Sequence, residues 1–319
     1  MATLDELRLM TKVAKLYYES NLNQVEIAKN LRLSQATVSR LFKRAREEGI
    51  VRISVHVPGG VNADLESALV KKFGLKDAIV IDSTDEDENQ LMREIGAAAA
   101  YYVETTIKDN EVVGISSWSS TLLALLDAMP PLPNKSGIQV VQVLGGVGNP
   151  SAEVHATRLT GRFAGLVNGT AIFLPAPGIV GSEAALRVLL EDHYVKEAIG
   201  LFDRVTLALV GIGSLKPSKL LDLSGNVFTK EELDYLRGHG AVGDILLRFF
   251  DIEGSLVDSS FNNRVISMQL DQLRQVERSI GVAGGERKFS AILGALRGRW
   301  INVLITDLRT AERLLVNHQ

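Results

Sequence analysis

The sequence contains no cysteine. That absence rules out disulfides, thiolate metal sites and cysteine nucleophiles, and it suits a reducing compartment. The opening stretch MATLDELRLMTKVAK is charged from its fifth residue and lacks the apolar centre of a signal peptide, so a cytoplasmic location is expected. Long hydrophobic runs are missing too. The longest uncharged segment, residues 163–182, is punctuated by Gly165, Gly169, Pro175, Pro177 and Gly178, which belong to loops and strand ends; no membrane contact is expected. There is no internal repeat and no low-complexity tail. His193, His239 and His318 have no clustered partners, so neither a metal nor another cofactor is expected.

What is present is an ordinary globular composition, 46% hydrophobic and 23% charged over 319 residues, a length that favours two domains. The formal charge of −3 hides an asymmetry. Residues 1–60 hold ten Lys/Arg against six Asp/Glu, a formal +4, which leaves −7 on the remainder. A basic head on an acidic body implies that only the head meets a polyanion. The segment DSTDEDEN (82–89) reads as a solvated loop and helix start.

Apolar spacing predicts helices over 5–20, 24–31 and 34–48, the last stopped by Gly49, followed by an alternating strand with Ile53, Val55 and Val57 on one side. PGG at 58–60 marks the boundary between a domain over 1–57 and one over 61–319. Beyond it the pattern is α/β. Strands are expected at 78–82, 111–115, 138–144, 170–175, 205–211 and 301–307. Helices are expected over 86–106, 153–166, 183–191, 230–237 and 287–297. Such alternation predicts a Rossmann-like, mostly parallel sheet covered on both faces.

In the head, Ala28 and Val38 occupy the small and apolar positions at which two helices of a helix-turn-helix cross. Val38, Leu41, Phe42 and Ala45 form one buried stripe. Ser34 is the expected cap of the third helix. Its other face offers Gln35, Ala36, Thr37, Ser39, Arg40 and Lys43, with Arg44 and Arg46 on the flanks. Gln and Arg suit base edges in a major groove, and the remaining cations suit phosphates. Arg52 on the following strand would add a wing contact. Arg32 stands in the tight turn, where glycine is more usual; held left-handed, it costs roughly 1–2 kcal/mol. The simpler alternative, an amphipathic helix with a solvated basic face, does not account for cap, stripe and spacing together.

In the body, hydroxyls and glycines gather where strands end, the edge at which open parallel sheets bind ligands. GISSWSST (114–121) joins a strand to a helix. Its Ser117, Ser119, Ser120 and Thr121, with the helix-start N–H groups, would hold an anion. The loop has no lysine and no Walker spacing, so a monoester phosphate suits it better than a nucleoside triphosphate. LGGVG (144–148), with Gly145 and Gly146, lets backbone approach a ligand, and LPAPG (174–178) and GIGS (211–214) follow two more strands. Asp244 brings a carboxylate in GAVGDI, and Lys288 brings an amine near a helix start. Glu153 and His155 would reach the same crevice, although an exposed histidine is an equally good reading. Trp118 reads as a buried structural residue rather than a stacking platform.

Taken together, NQVEIAKNLRLSQATVSRLFKRAREEGIV, GISSWSSTL, LGGVG, LPAP, GAVGDILLRFFDIEG and GVAGGERKFSAILGALRGRWINVLITDLRTAERLL resemble the SorC family of bacterial sugar-responsive transcription regulators over nearly the whole chain. The resemblance implies a sugar-phosphate-isomerase-like effector domain and homo-oligomers, dimers or tetramers, on operator DNA. It also implies a phosphate held by Ser119, Ser120 and Thr121, sugar hydroxyls met by Asp244, and Lys288 close to the ligand. SSWSST is serine-richer than in many relatives and lacks an arginine found in some of them.

The resulting expectation is a DNA-binding regulator of a carbohydrate operon, controlled by a sugar or sugar phosphate, with induction as the expected sign. Two alternatives stay open on the sequence. One is a sugar-phosphate isomerase or deaminase carrying a DNA head, in which Asp244 and Lys288 would do acid/base work without an evident second carboxylate or histidine. The other is a DNA-bound module that has lost its ligand.

Overall fold

Side chains that satisfy unpaired backbone N–H groups decide where the first three helices start. Thr3 accepts the amide of Glu6 while the Glu6 carboxylate accepts the amide of Thr3, and this reciprocal cap opens α1 (Leu4–Tyr18). Asn23 and Glu26 repeat the device at α2 (Gln24–Leu31). Ser34 accepts the amide of Thr37 at 3.1 Å and opens α3 (Gln35–Glu47). Between α2 and α3, Arg32 is left-handed at φ 56° and ψ 41°. Met10, Val13, Ile27, Ala28, Val38, Leu41, Phe42 and Ala45 bury one another in one core, with Leu22, Leu33, Ile50 and Val51 packed against it.

The computed structural model describes residues 3–51, 61–83, 87–149, 159–257 and 260–316, in a chain that divides into two compact units, Met1–Pro58 and Gly59–Gln319. The strand expected around Ile53, Val55 and Val57 lies outside the described residues, as do Arg52, Glu153, His155 and His318.

The second unit begins with α4 (Ala63–Phe73), β1 (Asp77–Ile81), α5 (Glu88–Thr106), β2 (Val112–Ile115), α6 (Ser120–Ala128), β3 (Gln139–Gln142), α7 (described over 159–166) and β4 (Thr170–Ile172). It continues through α8 (Glu183–Glu191), α9 (His193–Ile199), β5 (Leu207–Gly211), β6 (Gly213–Ser214), α10 (Lys219–Ser224), α11 (Lys230–Gly238), β7 (Ala241–Ile245) and β8 (Arg248–Asp251). It closes with α12 (Leu270–Gln275), β9 (Arg278–Val282), α13 (Phe289–Arg297), β10 (Val303–Asp307) and α14 (Leu308–Leu315).

Seven strands pair in parallel in the order β1-β10-β9-β5-β2-β3-β4. Because side chains alternate along a strand, both faces are apolar. In β5, Leu207 and Leu209 pack with α5 and α6 residues such as Ile95 and Leu122. Ala208 and Val210 pack on the other face, in a cluster that includes Leu69, Ile292 and Leu314. β9 is central yet was not among the expected strands. Its first residues, Arg278 and Ser279, break the apolar pattern, and Arg278 is tolerated in the interior because it pairs with buried Glu111 at 2.6 Å and donates to the Thr106 carbonyl.

A small antiparallel sheet, β6-β7-β8, stands apart from the main one. Leu246 and Leu247 form the two-residue turn between β7 and β8, both at positive φ (58° and 62°). Such a turn normally takes Asn-Gly. Here the Asp244 carboxylate accepts the Leu247 amide at 3.0 Å and ties the turn down. In the main sheet the strand order reverses between β2 and β5, since β3 and β4 extend one way and β9 and β10 the other. The carboxyl ends of two diverging strands leave a crevice at such a point.

Candidate ligand cavity and nucleic-acid interface

The crevice is a cavity of about 520 Å³. One wall is the loop after β2. Ser116 continues the strand ladder by donating its amide to the Leu209 carbonyl. Trp118 then turns the chain at φ 60°, and Ser119 caps α6 by accepting the Leu122 amide at 3.3 Å. Ser119, Ser120 and Thr121 line the cavity at the first turn of α6, where helical N–H groups have no partner within the helix. Trp118 is buried and donates its ring N–H to the Gly145 carbonyl at 3.1 Å, which makes it part of the loop's frame.

Asp244 and Lys288 line the same cavity. Burial pushes the Asp244 carboxyl up to about 6, against the Leu247 amide and Lys288, which both favour its charge. Burial, with Arg287 adjacent, pulls the Lys288 amine down to about 8, while Asp244 opposes that shift. Gly213 faces Asp244 so closely that a Cβ would stand 2.1 Å from Oδ1, so only glycine lets the carboxylate sit there. At the rim, Arg287 spans from the Glu88 carboxylate (2.8 Å) to Ser214 Oγ and the Lys216 carbonyl. Lys216 and Lys219 line the same cavity and are exposed. The cavity is therefore cationic at the mouth and carries one buried carboxylate within. Among the described residues no group of three or more His, Asp or Glu side chains is placed to hold a metal.

In the first unit, Ser34, Gln35, Ala36, Ser39, Arg40, Lys43 and Arg46 are exposed along one face of α3, opposite the buried stripe. Thr37 is half-buried and shares a hydrogen bond with Ser34 Oγ at 2.8 Å.

Residues 60–316 match a family model described as "Putative sugar-binding domain", and residues 16–52 match one described as winged helix-turn-helix DNA-binding. The sorbitol operon regulator of Klebsiella pneumoniae is 35% identical over 99% of this chain and 100% of its own length. The chain belongs to the SorC family. The deoxyribonucleoside regulator of Bacillus subtilis (strain 168) is 37% identical over 97% of each chain. The crystal structure of full-length SorC from K. pneumoniae superposes with a TM-score of 0.73 at 34% identity, covering 98% of this chain and 99% of that one. This SorC-family chain is a transcription regulator with a DNA-binding head and a sugar-binding domain. The isomerase or deaminase reading finds no support among these relatives, which are named as regulators.

Several residues expected at this regulator's sites also make contacts within the protein. Arg44, half-exposed, pairs with Glu6 of α1 at 3.0 Å, and the guanidinium holds the Glu6 carboxyl down to about 2; the pair joins two helices. Gly145 and Gly146 do not line the cavity. A Cβ on Gly145 would lie 2.3 Å from the Pro177 carbonyl oxygen, and one on Gly146 would lie 1.9 Å from the Gln142 amide. At both positions protein packing alone requires glycine. Ser117 lines the cavity, but its hydroxyl donates to the Leu144 carbonyl and accepts from Gln142, both at 2.8 Å. The sequence reading missed the Leu246–Leu247 turn, Glu88 and Arg287. For Arg287 a signal existed, since it directly precedes Lys288 at the same helix start.

Proposed function

We propose that this regulator binds a phosphorylated sugar or polyol in the cavity and operator DNA through the exposed face of α3. The observation that carries the ligand reading is one cavity lined by two chemically distinct groups. The hydroxyl-rich start of α6 and the buried carboxylate of Asp244, with Lys288, all line it. A helix start rich in hydroxyls favours a phosphate, and a buried carboxylate favours hydroxyl donors. Ser119, Ser120 and Thr121 then take the anionic group, Asp244 takes sugar hydroxyls, and Lys288 balances the charge between them. The sorbitol and deoxyribonucleoside relatives support a carbohydrate as the ligand class.

On α3, Gln35 and Arg40 read base edges, while Ser34, Ala36, Thr37, Ser39 and Lys43 fit the groove and its backbone. The reading divides the labour between residues 1–57 and 61–319, with dimers or tetramers matching paired half-sites. An effector that prefers one quaternary arrangement would shift the spacing of the heads by linkage.

A thermal-shift screen of sugars and polyols, each with and without phosphate, tests the ligand reading. Phosphorylated members should stabilise the protein. Thr121→Val should cut binding of the phosphorylated compound by about tenfold and that of the free sugar much less. Equal losses for both forms would remove the phosphate from the reading.

A further inference from the structure

Gln142 ends β3 beneath the serine loop, is 2% exposed and does not line the cavity. Its amide sits in the middle of a one-way chain of hydrogen bonds. The Leu174 amide donates to Gln142 Oε1 at 3.1 Å, Gln142 Nε2 donates to Ser117 Oγ at 2.8 Å, and the Ser117 hydroxyl donates to the Leu144 carbonyl at 2.8 Å. Both ends are backbone groups of fixed polarity: an N–H can only donate and a carbonyl can only accept. The orientation of the Gln142 amide and the direction of the Ser117 hydroxyl are therefore forced. The close approach of Gly146 to the same amide shows that the surrounding backbone is shaped around this side chain.

We infer that Gln142 is the positioning residue of the ligand site, fixing through Ser117 the loop that presents Ser119, Ser120 and Thr121 to the cavity. The inference rests on the reading that this loop holds the effector's anionic group. Ser117 directly precedes Trp118, whose left-handed backbone turns the chain into the α6 cap. An anchor at 117 therefore sets the direction in which the helix start faces. A chain of buried polar groups does this when its members are paired, and Gln142 Oε1, Gln142 Nε2 and Ser117 Oγ each have a partner.

The test compares Gln142→Glu and Gln142→Met in a Trp300→Phe background, so that Trp118 is the sole tryptophan and can be excited selectively. Inorganic phosphate is the probe, and its affinity is taken as the ratio of variant to wild type at each pH. The carboxyl that Gln142→Glu introduces donates to Ser117 when protonated, as the amide does. The ionised form cannot, and its partners Ser117 and Leu174 do not titrate. For Gln142→Glu the loss of affinity should grow from near none in acid to about tenfold as the carboxyl ionises, with Trp118 emission moving over the same range. Gln142→Met should show the tenfold loss at every pH. A residue that only supports the fold would lower the melting temperature and leave the affinity ratio near one, and that result would overturn the inference. If phosphate fails to bind wild type, the anion reading fails separately. Trp118 emission then decides about Gln142, and emission that does not follow ionisation of the introduced carboxyl overturns the positioning role.

Discussion

At the scale of single residues, burial alters the chemistry of Asp244 in the cavity. Its carboxyl is raised from an ordinary 3.8 to about 6 by burial. A folded-state value above the unfolded one means that the folded protein binds this proton more tightly. Its contribution to stability is therefore greatest below pH 4 and is lost as pH rises through 6. Asp244→Asn keeps an acceptor for the Leu247 amide and removes the buried charge. It should stabilise the ligand-free protein by up to about 3 kcal/mol above pH 6, with the gain vanishing in acid. Thermal unfolding at pH values on either side of the transition measures this; a gain independent of pH would mean that ionisation is not its source. The residue scale is also where the sequence was least explicit. Asp244 stood out as a carboxylate among small residues, and Lys288 as an amine near a helix start. The contacts of Arg44 with Glu6 and of Gly145 with the Pro177 carbonyl join residues remote in sequence, and Gln142, though near Gly146 in sequence, meets it only once the chain is folded.

Helices and strands differ in how much of themselves they write locally. α2 and α8 match their expected spans, and α11 runs one residue further, because caps such as Asn23–Glu26 and Thr229–Glu232 are encoded within four residues. β9 depends instead on Glu111, far away in the chain, to accept Arg278, so its place at the centre of the sheet has no local mark. β6, β7 and β8 were not expected as strands either. Their turn is two leucines instead of turn-forming residues, and it holds through tertiary burial and the Asp244 contact. The α2–α3 turn offers a cleaner test of local strain, since Arg32 is exposed and left-handed. Arg32→Gly should relieve the steric cost, less what glycine adds to the freedom of the unfolded chain, for a net gain of up to about 1 kcal/mol in the head. Thermal or urea unfolding of the full chain, followed by a probe in the head, reads it. A loss of stability would show that the arginine side chain holds the turn.

For the whole molecule, the two units divide binding between them. Arg40→Ala should lower operator affinity by about 10- to 100-fold, as expected for losing a bidentate base contact, while leaving the ligand-induced thermal shift intact. Fluorescence anisotropy on operator DNA alongside thermal shift checks both halves, and unchanged operator affinity would refute α3 as the reading helix. The architecture was legible in outline because apolar strands alternate with helices, but the strand order was not, since order depends on which distant edges meet. That order has a consequence for synthesis. The unit's opening strand, β1, pairs with β10, and Lys72 of α4 donates to the Leu314 carbonyl in α14. Among the described residues the head's core draws on partners no later than Val51, so the head can fold early in synthesis, whereas the sensor's first strand must wait for the last part of its own unit. A chain cut short late in synthesis would therefore carry a folded head and a sensor sheet still missing its β1 partner.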